Sequence, residues 1–323
     1  LFFYKCNLGR DKEAYLKELI DRIQRNVGKV IIGKDNEIRN IIKGIITEGH
    51  ILIEDLPGMG KTTLVKSMAK TMDLSFSRIQ FTPDLLPSDI TGISVYNQKD
   101  MSFEFRKGPV FSNIVLADEI NRTSPKTQAA LLEVMEETQV SEGNTSYKLE
   151  KPFVVLATQN PIEYEGTFNL PEAQLDRFIM KMSIGYPSKE DEMEILRNFK
   201  EINPLEELKS AVSREDVLTL IEAVKHVKVA DEINDYVVRL SNETRNSNLI
   251  AMGVSPRASL SLMKLSQANA LLNGRDYVIP DDVKENAVLA YSHRIKLSGT
   301  ARARDLDESD VVKAIVNFVR APR

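Results

Sequence analysis

A chain of 323 residues has the length for two domains and a sizeable core, and 42% hydrophobic with 28% charged residues is the balance of a globular protein. Its 43 basic and 47 acidic side chains leave a net charge of -4, with no block of five like charges, so nothing draws the chain as a whole to nucleic acid or anionic lipid. One cysteine (Cys6) and three histidines argue against a disulfide framework or a zinc cluster, and no apolar run nears the ~20 residues that cross a bilayer; a reducing cytoplasm, without membrane insertion, is the expected setting.

Leu1-Phe2-Phe3-Tyr4 is apolar but is cut off at once by Lys5 and lacks a basic leader, so it reads as neither signal peptide nor anchor. An amphipathic helix is expected over 12–26, then the apolar turn Val30-Ile31-Ile32-Gly33 and a helix from Lys34 to Thr47. Ile51 to Glu54 reads as a buried strand that passes through Asp55-Leu56-Pro57-Gly58-Met59-Gly60 into a helix opening on Lys61-Thr62-Thr63. Such a loop turns backbone N–H groups inward at a helix N-terminus and cradles phosphates. Lys61 can reach the β/γ-phosphates, and the Thr62 hydroxyl can hold Mg2+. The usual G-x-x-x-x-G-K-[ST] spacing has Asp55 in place of its first glycine, so that carboxylate must point away from the phosphates.

Further core strands are expected near 78–81, 114–118, 153–158 and 179–184, with helices at 61–72 and 124–137; this alternation implies a parallel sheet. Residues 93–96 and 102–106 suggest a small hairpin around Gln98-Lys99-Asp100, and a second hairpin is expected to turn at Glu142-Gly143-Asn144. The apolar run Asn113 to Ala117 leads into Asp118-Glu119. Asp118 suits the outer shell of Mg2+, and Glu119 can polarise the water that attacks a γ-phosphate. Alone, the two acids equally suit a helix N-cap before Thr123-Ser124-Pro125. At a strand end about 55 residues after a phosphate loop, they point to a nucleotide. The helix over Gln128 to Glu137 has an apolar face and needs no role beyond packing.

A third apolar run ends at Thr158-Gln159-Asn160-Pro161, where Asn160 either orients the attacking water or merely starts a turn. Arg177, at the end of a short helical stretch, either caps it or projects outward to a neighbouring subunit's γ-phosphate. Tyr186-Pro187-Ser188 marks a boundary, with Ser188 capping a helix that runs to Phe199. Segments 214–227, 231–246, 256–273, 280–292 and 307–319 carry helical apolar spacing with Asp, Ser or Pro at their starts, which predicts an all-α second domain. Arg257 stands in the first turn of the third of these, where the helix dipole disfavours a cation by a few tenths of a kcal/mol; it answers to phosphate or to solvent.

With these residues in order the chain resembles the AAA+ ATPases, and closely the MoxR family. The resemblance rests on Gln80-Phe81-Thr82-Pro83-Asp84-Leu85-Leu86-Pro87-Ser88-Asp89, Ala117-Asp118-Glu119-Ile120-Asn121-Arg122-Thr123, Ala157 to Glu163, Leu170 to Phe178 and Ser255-Pro256-Arg257-Ala258-Ser259. It implies an α/β, parallel-sheet P-loop core over 11–186 with helix-2-insert and pre-sensor-1 hairpins, and a smaller all-α lid over 187–323; residues 1–10 match nothing. Pro57, Gly58, Met59, Gly60, Lys61, Thr62 and Thr63 would bind ATP, with Gly33 near the adenine and Thr62 and Asp118 on Mg2+. Asp118 and Glu119 would be the Walker B pair, Asn160 sensor 1, Arg177 the arginine finger and Arg257 sensor 2.

The function implied is ATP hydrolysis at the subunit interfaces of a ring, expected to be a hexamer, whose lid moves with nucleotide state through Arg257. That motion would remodel or assemble a client protein, by metal-cofactor insertion or complex maturation, with a von Willebrand A-domain partner. The alternatives are a nucleic-acid motor on the same core, against which the acidic balance weighs, and a non-hydrolysing nucleotide-dependent scaffold, against which Lys61, Glu119 and Arg177 speak.

Overall fold

Alternation of strand and helix builds one parallel sheet here, and its strand order is not that of the chain. The computed structural model describes residues 9–160, 167–198 and 204–322. The expectations for Leu1 to Tyr4, Cys6, Pro161-Ile162-Glu163 and Phe199 lie outside the described residues. Helices α1 (Gly9–Gly28) and α2 (Asp35–Ile46) precede β1 (His50–Glu54), and α3 (Lys61–Thr71) leads to β2 (Phe76–Gln80). A short α4 (Pro87–Thr91) and the hairpin of β3 (Gly92–Asn97) and β4 (Ser102–Lys107) come before β5 (Ile114–Asp118). Helix α5 (Pro125–Glu137) and the hairpin of β6 (Gln139–Glu142) and β7 (Thr145–Lys148) come before β8 (Val154–Gln159), and α6 (Glu172–Leu175) before β9 (Phe178–Met182).

Across the sheet the order is β2-β5-β8-β1-β9. Register pairs Leu116 with Leu156 and Ile51 with Leu156, so the C-terminal tips of β5, β8 and β1 stand side by side. Period-2 alternation divides each strand between two cores. Ile51, Ile53, Ile114, Leu116, Val154 and Leu156 face one, with α1, α2 and α3; Leu52, Val115, Ala117, Val155 and Ala157 face the other, with α5. Burial on both faces explains why these strands read as unbroken apolar runs.

The first core continues without a break into the C-terminal helices, through Tyr236, Leu262, Leu265 and Tyr291. After α7 (Lys189–Asn198) and α8 (Pro204–Glu207) come α9 (Arg214–Lys225) and α10 (Asp231–Asn246), then strand β10 (Ile250–Met252). Helices α11 (Pro256–Leu272) and α12 (Pro280–Tyr291), strand β11 (Lys296–Leu297), α13 (Gly299–Arg302) and α14 (Glu308–Phe318) complete the chain. The caps are those the spacing suggests: the hydroxyls of Ser124, Ser188, Ser213 and Ser255 accept backbone N–H bonds at the starts of α5, α7, α9 and α11.

Two expectations change. The second domain is not wholly helical, because β10 pairs antiparallel with β11. The pair joins segments of three and two residues more than forty positions apart, too short and too distant for periodicity to reveal. The last core strand also stops at Met182 rather than near 184. The N–H groups of Ile184 and Gly185 leave the ladder and donate instead to the Asp55 carboxylate.

Candidate nucleotide site

The site is assembled where the sheet order brings three strand tips together. The loop after β1 runs through Gly58 and Gly60, both in the left-handed region at φ 85° and 77°, and enters α3 at Lys61. A Cβ at either glycine would meet no atom within 4 Å, so the loop's inner surface is open backbone. Asp55, at the position where the loop spacing usually has glycine, is buried. Its carboxylate accepts from the Ser183 hydroxyl at 3.0 Å and from the backbone N–H groups of Ile184 and Gly185. It therefore points away from the loop's interior and ties β1 to the segment that follows β9.

Lys61 Nζ donates to the carbonyls of Asp55 and Leu56, each at 2.9 Å. Burial holds its pKa below the ordinary lysine value, while Asp55, Asp118 and Glu119 pull it back toward the charged form. Lys61, Thr62, Asp118, Glu119 and Asn160 all line one cavity of about 360 Å3. A second cavity of about 450 Å3 adjoins it and shares the walls Pro57, Gly58, Met59, Gly60 and Thr63. Its other walls are largely apolar, among them Ile31, Ile32, Ile184, Tyr186 and Ile195. Gly33 sits between two of its lining residues, Ile32 and Lys34, at φ 69°, where an added Cβ would run into the Asp191 carboxyl. The fit to a nucleoside triphosphate with Mg2+ is good in kind: a polar cradle with a cation, a hydroxyl and two acids opens onto a pocket suited to a flat base.

Arg78, Gln80 and Thr158 also line the cavity, and sequence reasoning gives them no role. Arg78 bridges to Asp118 Oδ2 at 2.6 Å, and the Thr158 hydroxyl donates to Asp118 Oδ1 at 2.6 Å. Thr158 also accepts the Glu119 N–H at 2.9 Å, holding a residue with the strained φ of 58°. Gln80 donates to Glu119 Oε2 at 2.7 Å, and Arg122 stands 3.3 Å from the same oxygen. A signal was available: Arg78 and Gln80 end a strand that parallelism would place beside Asp118, once the strand order is known.

Arg177 and Arg257 are not brought to this cavity. Both line a separate cleft of about 770 Å3 that shares no wall with it. Arg177 donates to the Leu132 carbonyl and pairs with Glu136 Oε2 at 2.9 Å, while Arg257 reaches Glu136 Oε1 at 3.3 Å. The expectation that α5 only packs is therefore too narrow, since its last turn holds both arginines.

The matches to known proteins follow this geometry. The family model of the ATPases associated with various cellular activities (AAA) covers residues 50–180, from β1 to β9, and the AAA lid-domain model covers 242–315. Protein YeaC of Bacillus subtilis is 46% identical over 307 residues, 95% of this chain and 96% of its own. Chaperone MoxR1 of Mycobacterium tuberculosis is 41% identical over 313 residues, 94% of this chain and 82% of its own. The chain belongs to the MoxR family of AAA+ ATPases. A crystal structure assigned as an ATPase from Cytophaga hutchinsonii superposes with a TM-score of 0.90 at 43% identity, covering 97% of this chain and 98% of that one. This MoxR-family chain is accordingly an ATPase with an α/β core followed by an AAA lid. Among the described residues, no helix is long and apolar enough to cross a membrane.

Proposed function

We propose that this MoxR-family ATPase hydrolyses ATP between two copies of the chain, one supplying the phosphate cavity and the other the cleft that carries Arg177 and Arg257. The observation that carries the reading is the separation of the two: the cavity has its lysine, hydroxyl and acids, but Arg177 and Arg257 stand on other walls. A site completed in trans keeps hydrolysis dependent on assembly.

Within the cavity, the backbone of Pro57 to Gly60 and Lys61 hold the phosphates, and Thr62 and Asp118 hold Mg2+, which neutralises phosphate charge when bound. Glu119, fixed by Gln80 and the Thr158 hydroxyl, takes the proton of the attacking water. Asn160, at the tip of the strand between Asp118 and the phosphate loop, positions that water. Arg177 of the second copy stabilises charge that develops only in the transition state, and Arg257 acts beside it rather than on its own chain's nucleotide. The wider role is chaperone-like: a ring, of six subunits, in the cytoplasm, that remodels or assembles a protein client with a von Willebrand A-domain partner. The name of the Mycobacterium tuberculosis relative supports the chaperone part of that reading.

The test is a mixing experiment. Lys61→Ala and Arg177→Ala should each lower kcat by ~10³ or more, and Arg177→Ala should leave nucleotide binding intact. Mixed at equal amounts, they should regain activity at roughly a quarter of the interfaces if assembly is random. Near-normal turnover by Arg177→Ala alone, or no recovery on mixing, would remove the shared site.

A further inference from the structure

We infer that Glu136 is a positioning residue, whose carboxylate clamps the guanidinium tips of Arg177 and Arg257 into one preset pair that meets the phosphates of a second copy's nucleotide. The inference rests on the trans reading above and goes beyond it by naming what orients the two cations. Glu136 occupies the last turn of α5 and gives one oxygen to each arginine, Oε2 to Arg177 at 2.9 Å and Oε1 to Arg257 at 3.3 Å. Arg177 also donates to the Leu132 carbonyl one turn earlier, so its guanidinium plane is held from two directions. Two of its five N–H groups suffice for that hold, which leaves donors for phosphate oxygens.

The roots of the two arginines are held as firmly as their tips. Asp176, next to Arg177, accepts from the hydroxyl of Ser255, the cap of the helix that carries Arg257, at 2.9 Å. Its other oxygen pairs with Arg294 at 2.7 Å, and Arg294 is buried. One carboxylate thus fixes the backbones of the two segments relative to each other, and a second fixes the charged ends. Without an anion between them, two neighbouring guanidinium groups repel and turn to solvent. Each would then have to be ordered again for every transition state, at the entropic cost of a long side chain.

A surface ion pair of this kind contributes little to folding, which separates a positioning role from a structural one. In the assembled full-length ATPase, Glu136→Gln and Glu136→Ala are expected to lower kcat about tenfold while KM for ATP, nucleotide affinity and Tm stay at wild-type values. Unchanged kcat, or a rise in KM with kcat retained, would overturn the inference. Mixing Glu136→Ala with Lys61→Ala at equal amounts should raise turnover per subunit from about a tenth to roughly a quarter of wild type, because the Lys61→Ala subunits bring an intact arginine pair. If that mixture stays impaired while Arg177→Ala with Lys61→Ala recovers, Glu136 serves its own chain's site and the assignment is wrong. If neither mixture recovers, the trans reading falls and takes this inference with it.

Discussion

Replacing Asp55 by glycine would restore the first glycine of the usual phosphate-loop spacing, yet the structure says that it should weaken the protein. The Asp55 carboxylate accepts from the Ser183 hydroxyl and from the N–H groups of Ile184 and Gly185, and the residue is 7% exposed. A hydrogen bond to a charged group is worth ~1.5–3 kcal/mol, and a buried donor left without a partner costs ~1–3 kcal/mol. Water reaching part of the site offsets some of this, while the added glycine costs a few tenths of a kcal/mol or more in chain entropy. A net loss of about 3 kcal/mol follows. With an unfolding entropy of roughly 2 cal/mol/K per residue, a chain of 323 residues should then lose about 4 °C in Tm. Thermal melts followed by circular dichroism without nucleotide would measure it, with Ser183→Ala, which removes one bond, falling by about 1 °C. An Asp55→Gly variant melting within 1 °C of wild type would refute the tethering role of that carboxylate.

Two further outcomes follow from buried ionisable groups. His50 is buried and neutral: its Nδ1 accepts the Val155 N–H at 3.0 Å, so Nε2 donates to the Met135 carbonyl at 2.9 Å, and burial pushes its pKa down to about 4. In the unfolded chain a histidine titrates near ~6.5, so the unfolded form takes up the proton first. Stability should fall as pH drops from ~6.5 toward ~4, by up to ~3 kcal/mol from this residue. Urea midpoints across that range should decline less steeply for His50→Gln, and parallel profiles would contradict the argument. His293, likewise buried and pushed well below the usual histidine value, adds to the same slope. Asp176→Asn strips the ionic partner from buried Arg294, which keeps acceptors in the Phe178 and Ala290 carbonyls, and should cost ~3 kcal/mol by the same melts; an unchanged Tm would show that the carbonyls suffice.

Much of the fold was legible because its signals are local. The strands β1, β5 and β8 announce themselves as apolar runs, since both faces of the sheet are covered, and the helix starts announce themselves through Ser and Pro. Both hairpins formed where turn residues separate alternating segments. The pairing of β10 with β11 left no such trace, and neither did the early end of β9, because each depends on partners distant in the chain.

The residue string by itself pointed to a loop with phosphate-cradle spacing ahead of a strand that ends on acid, and to a helix-rich second domain. Those are patterns of neighbours three to six positions apart, set by backbone geometry alone. Only the tertiary structure decided that Arg78, Gln80 and Thr158 hold Asp118 and Glu119, since strand order is a property of the packed sheet. It also decided that Arg257 stands with Arg177 on Glu136, in a cleft apart from the cavity that Lys61 and Asp118 line. The reason is that the direction of a side chain on the lid depends on how two layers dock, and no local spacing encodes that angle.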